Sequence, residues 1–163
     1  MASFDTVSEV NMQELDNAVN NLKKELNTRF DFKGSNTEVE LNKKDKLIKI
    51  ITTDDMKMNM LREMLISAAT KRSVDARCLE FGEVEKAGGS MLRREVKIKE
   101  GIDKDTAKKI TTAVKESKLK VQASIMDDKV RIQGKKIDDL QAVIQILKCL
   151  DLPLPLQFIN MKS

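Results

Sequence analysis

The chain has 163 residues, 40% of them hydrophobic and 34% charged, with a formal net charge of +4; this is the make-up of one ordinary globular domain or two small ones of roughly 80 residues each. No apolar run approaches the roughly 20 residues a membrane span needs, and Met1–Asp5 lacks a basic, then apolar, leader, so a cytoplasmic protein that avoids membranes is predicted. Histidine is absent, which removes the commonest general base and transition-metal ligand, and Cys78 and Cys149 have no Cys or His at metal-ligand spacing; both read as reduced, buried thiols, and no metal or cofactor is predicted.

In chain order, Ser3–Glu9 reads as a strand. Asn11 then reads as a helix cap, with Glu14 completing a capping box and Val10 with Leu15 a hydrophobic staple. Leu15, Val19, Leu22 and Leu26 line one face of that helix. Phe30–Lys33 reads as extended, with both rings packed in the core. Thr37–Asn42 and Lys46–Thr52 form a hairpin around Lys43-Lys44-Asp45. A second helix, about Asp54–Arg72, turns Leu61, Met64, Leu65 and Ala68 inward, and Met56, Met58, Met60 and Met64 read as flexible core filling rather than a cofactor box. A strand near Cys78–Glu85 closes the set, and Gly88-Gly89-Ser90 marks a joint.

Beyond the joint the order repeats. Met91–Lys99 reads as a strand, Asp103–Ser117 as a helix capped by Asp103, Leu119–Met126 and Lys129–Gln133 as a hairpin, Lys136–Leu150 as a helix and Leu156–Lys162 as a last strand. Sliding the chain by 82 residues places Val39 on Val121, Lys49 on Arg131, Ile50 on Ile132 and Leu65 on Leu147, a constant offset of the kind duplication leaves. Each half reads β-α-β-β-α-β. The prediction is an α+β protein of two ferredoxin-like domains, residues 1–88 and 91–163, each a four-stranded antiparallel sheet with two helices on one face.

Helices on one face leave the other open, and alternation along the strands gives that face its polar residues. For the second half these are Arg93, Glu95, Lys97 and Lys99, then Lys120, Gln122 and Ser124, then Lys129, Arg131 and Gln133, a basic surface. Residues 91–163 hold 16 Lys+Arg against 10 Asp+Glu, a net of +6 that leaves −2 for residues 1–90. An anionic partner is therefore expected at the C-terminal half. Two loops that open helices, Gly134-Lys135-Lys136 and Glu100-Gly101-Ile102-Asp103-Lys104, are candidate phosphate cradles, although neither is a P-loop or a G-x-G-x-x-G fingerprint. With no Trp or Tyr and five Phe, the strands lack the aromatic signature of RNA recognition motifs.

Several stretches together resemble the bacterial YajQ family of nucleotide-binding proteins: Ser3-Phe4-Asp5 with Val7-Ser8-Glu9, Thr28-Arg29-Phe30-Asp31-Phe32-Lys33-Gly34-Ser35, Lys99-Glu100-Gly101-Ile102-Asp103-Lys104, Ser117-Lys118-Leu119-Lys120-Val121-Gln122-Ala123, Gly134-Lys135-Lys136 with Asp138-Asp139-Leu140-Gln141, and Leu154-Pro155-Leu156-Gln157-Phe158. The resemblance implies that strands 3–9 and 91–99 are exchanged between the two sheets. It also implies a non-enzymatic protein that binds a nucleotide, a cyclic dinucleotide or RNA, tRNA included. Ile137 and Met161-Lys162 depart from the family pattern, where basic and aromatic residues are usual. The site residues expected are Lys97, Lys120, Arg131, Lys135 and Lys136, joined by Arg29 and Lys33 from the Arg-Phe-Asp-Phe-Lys run. The alternative reading is a regulatory module whose basic face meets an acidic protein partner; a phosphohydrolase would need carboxylates gathered around a divalent ion.

Overall fold

A computed structural model describes residues 1–163. Nine strands and four helices form in the order β1 (Ala2–Val7), α1 (Met12–Thr28), β2 (Glu38–Asn42), β3 (Leu47–Thr52), α2 (Asp55–Lys71), β4 (Leu79–Phe81), β5 (Glu85–Ala87), β6 (Met91–Ile98), α3 (Lys104–Glu116), β7 (Val121–Met126), β8 (Lys129–Gly134), α4 (Ile137–Lys148) and β9 (Gln157–Lys162). Three helices begin where a short acceptor side chain precedes them. Asn11, Asp54 and Asp103 sit in extended backbone and accept from the amides of Glu14, Lys57 and Thr106, each filling one of the four donors a helix start leaves orphaned. Glu14 turns its carboxylate to Arg72, 3.0 Å away, and to Asn17, so the cap on α1 is Asn11 itself.

The strands form two antiparallel sheets, α+β as expected. One has the order β7-β8-β1-β9, the other β2-β3-β6-β4, with β5 also on β6. Two compact units result: residues 1–9 with 100–163, and residues 10–99. Gly88-Gly89-Ser90 closes the β5–β6 hairpin, where Ala87 faces Met91.

In the unit of residues 10–99, α1 and α2 bury Leu15, Val19, Leu22, Met58, Leu61 and Leu65 against Ile48 and Ile50 of β3 and Val96 of β6. The other unit packs Ile110 and Val114 of α3 and Leu140, Val143 and Leu147 of α4 against Phe4, Val130 and Ile132. There Phe4 meets Phe158 edge to face at 5.8 Å. In both, alternate strand residues are left on the face away from the helices.

Four details depart from the sequence reading. Phe30–Phe32 is a 3₁₀ turn, not a strand; with three residues per turn, positions i and i+2 diverge, so Phe32 is buried while Phe30 stands 92% exposed. Met56, in the first turn of α2, points to solvent while Met58 is fully buried. Cys149 caps the C-terminus of α4 beyond its last inward position and is exposed, unlike Cys78. The strand expected over Cys78–Glu85 breaks into β4 and β5 at Gly82, whose amide binds the Glu95 carbonyl at 2.9 Å. Met58 and Met56 are the extremes of burial among the α2 methionines, with Met60 and Met64 half-buried: Met58→Ala should destabilise by about 3 kcal/mol and Met56→Ala by less than about 0.5 kcal/mol, as read by chemical denaturation.

Candidate anion-binding groove

A polar concavity lies where β8 runs into α4, beside the start of β7. Gly134 ends β8 opposite Val121 of β7 and Ala2 of β1. A Cβ at Gly134 would stand 2.9 Å from Val121 Cγ1 and 3.4 Å from both Leu140 Cδ2 and the Lys120 carbonyl oxygen, so the close approach of these elements depends on glycine. Gly134→Ala should therefore cost about 1–3 kcal/mol, measurable as a fall in the denaturation midpoint.

From Gly134 the chain turns into α4 through Lys136, the helix's N-cap, in extended backbone with no side-chain cap. A lysine ammonium only donates, so unlike Asn11, Asp54 and Asp103 it leaves the first amides of its helix open. Across from this end, Lys118 takes a left-handed conformation (φ 59°) just past α3, and Ser117 Oγ accepts from the Leu119 amide at 3.3 Å. This turn brings Lys118 and Lys120 to the same groove as Lys135 and Lys136. The groove has a volume of about 660 Å³, an apolar floor of Leu119 and Val121, amides from Gln122 and Gln133, and one carboxylate, Asp139. Asp138 and Asp139 occupy the first turn of α4, where they complement the helix dipole.

The structure divides the residues expected at the site. Lys120, Lys135 and Lys136 line the groove, and Lys118, which sequence reasoning did not single out, lines it with them. Arg131 lies on β8 in the same unit but is engaged: its Nε donates to Asp5 Oδ1 at 2.9 Å. Asp5 sits in mid-β1, its side chain 2% exposed, and also accepts from Asn160 Nδ2 at 3.0 Å, with Lys129 Nζ 3.6 Å away. The Arg131 hydrogen bond, reinforced by these neighbours, lowers the Asp5 pKa to about 2 against the opposing effect of burial, and the same pairing raises that of Arg131.

Arg29, Lys33 and Lys97 belong to the other unit. Arg29 ends α1 and holds Asp31 in a bidentate pair at 3.0 and 2.8 Å, with its guanidinium 5.9 Å from the Phe32 ring centroid. The paired carboxylate raises its pKa. Lys33 is exposed after the 3₁₀ turn. Lys97 is on β6, registered between Leu47 of β3 and Glu80 of β4. The neighbouring rows of that face are balanced too, Lys49 lying between Glu40 and Glu95, and Arg93 pairing Glu85 at 3.0 Å.

Two expectations are thereby corrected. Arg93–Lys99 does not share a basic face with Lys120 and Arg131, because β6 pairs with β3 and β4. Counted by compact unit, residues 1–9 with 100–163 hold 12 Lys+Arg against 11 Asp+Glu, and residues 10–99 hold 18 against 15. The linear asymmetry of +6 against −2 becomes +1 against +3, and within the nearly neutral unit of residues 1–9 and 100–163 the groove gathers four lysines. The loop Glu100–Lys104 is not an open cradle either. Its Gly101 and Ile102 amides bind the carbonyls of Ser8 (2.6 Å) and Asp128 (2.8 Å), and Asp103 fills the start of α3.

Fold and groove thus describe a small α+β protein with a lysine-lined groove. The profile of the family described as "Nucleotide-binding protein YajQ-like" matches residues 2–162, and the chain belongs to that family. It is 56% identical over its full length, and that of its relative, to a "Nucleotide-binding protein" of Oleidesulfovibrio alaskensis. It is 54% identical to one of Nitratidesulfovibrio vulgaris, again over both full lengths, and 47% identical to one of Cytophaga hutchinsonii over 99% of this chain and 100% of that one. No helix of the chain is long and apolar enough to cross a membrane.

Proposed function

We propose that the protein binds nucleotides in the bacterial cytoplasm, seating a phosphate in the groove at the start of α4. The observation that carries this reading is the lysine-capped, otherwise open N-terminus of α4, ringed by Lys118, Lys120, Lys135 and Lys136. Open amides and four lysines lining one groove favour a negative group there, with Asp138 and Asp139 in the first turn of α4 as the opposing charges. The names of the relatives support it. Leu119 and Val121 offer a sugar or base an apolar floor, and the Gln122 and Gln133 amides offer hydrogen bonds to its edge. No aromatic ring lines the groove, so phosphate contacts contribute most of the affinity and discrimination among bases is modest.

Binding rather than turnover fits these residues, because the chain has no histidine and the groove's carboxylate, Asp139, sits alone among lysines. A cyclic dinucleotide or single-stranded RNA presents the same phosphate chemistry in a longer form. Calorimetric titration at low salt with adenine and guanine mononucleotides, a cyclic dinucleotide and a short single-stranded RNA tests the reading. Binding should weaken with salt, for RNA by a logarithmic slope of about 0.7 per phosphate contacted. No binding to any of the four ligands would overturn it.

A further inference from the structure

β7 is the outer strand of its sheet, and it differs from the other outer strands. β2 carries Glu38 and Glu40; β4 has three residues; β9 is interrupted by a register shift against β1 and by left-handed Asn160. Charge, shortness and irregularity are the usual means by which a protein prevents an edge from pairing with another strand. β7 has none of them. Its six residues pair with β8 in unbroken register, no charge or proline lies within Val121–Met126, and Ile125 and Met126 are 52% and 37% exposed.

The charges flanking β7 are complementary to themselves. Lys118 and Lys120 precede the strand, and Asp127 and Asp128 follow it. A two-fold axis normal to the sheet at Ser124 keeps the helix layers of both copies on one side. It sets Ala123 opposite the partner's Ile125, Gln122 opposite the partner's Met126, and Lys120 opposite the partner's Asp128. The exposed apolar side chains then gain neighbours, and opposite charges meet across both ends.

We infer that β7 is a homodimerisation edge, through which two copies pair antiparallel into one continuous eight-stranded sheet. A single six-residue strand pair falls at the small end of specific interfaces, below roughly 1,200 Å², so the dimer dissociates on dilution. Sedimentation velocity from low micromolar to millimolar concentration should show the weight-average mass rising toward twice that of the chain. Ser124→Lys, which places two ammonium groups face to face on the axis and lies outside the groove, should abolish that rise while leaving the circular dichroism unchanged. In a Cys149→Ser background, Ser124→Cys should oxidise to a covalent dimer, whereas Glu40→Cys on the β2 edge should not. A mass that stays monomeric throughout, or a dimer that survives Ser124→Lys and does not cross-link through residue 124, would overturn the inference.

Discussion

Replacing Arg131 with alanine should lower stability measurably, because the buried Asp5 carboxylate loses its main partner and keeps only Asn160 and Lys129. Arg131→Glu should cost more, since it adds a second carboxylate beside Asp5. Arg131→Met combined with Asp5→Leu should recover most of the loss, because no buried carboxylate is then left without its partner. The pairing also sets the acid response. The Asp5 pKa in the fold is about 2, below the roughly 3.9 of an unfolded aspartate. Its contribution is therefore complete above about pH 4 and is lost as the pH falls toward 2. Urea denaturation at pH 7 and at stepped acid pH checks both statements, and the Asp5 share of the acid loss should vanish in the double variant. Weaker ligand binding by Arg131 variants would thus reflect a damaged sheet, which makes Arg131 a poor probe of the site.

Lys120 and Lys136 are better probes, both being exposed groove residues. Lys120→Glu with Lys136→Glu should weaken nucleotide binding about 100-fold, two charge-assisted contacts at about 1.5 kcal/mol each. The denaturation midpoint should barely move. Lys49→Glu should leave affinity within about twofold: Lys49 belongs to the other unit, in a row with Glu40 and Glu95, and is not among the residues that line the groove. Calorimetry on the two variants side by side makes the comparison, with equal losses counting against a groove in a single unit.

Much of the fold was legible because its signals are local. Asn11 and Asp103 announce their helices through short acceptor side chains, and the apolar period of α1 matches its buried residues Leu15, Val19 and Leu22. Phe30-Asp31-Phe32 was not legible, since three residues of alternating polarity suit a strand and a 3₁₀ turn equally. Lys135 and Lys136 could be placed because they abut a glycine and a helix start. Lys118 could not, because its left-handed turn follows from the end of α3 and leaves no mark in residue type. The partnership of Asp5 with Arg131 spans 126 positions, and no local pattern predicts it. Counting charge by halves of the sequence failed for a topological reason: β6 carries Arg93, Arg94 and Lys97 into the sheet of residues 10–99.

Amide chemical-shift mapping during titration with a mononucleotide tests the placement of the groove most directly. The largest shifts should fall on Lys118–Gln122 and on Gly134–Asp139, with Ile137 and Asp138 at the open start of α4 among the strongest. The amides of β3 and β6 around Lys49 and Lys97 should stay still. Shifts concentrated on β3 and β6, or around Arg29 and Lys33, would contradict the account and move the phosphate site to the other unit.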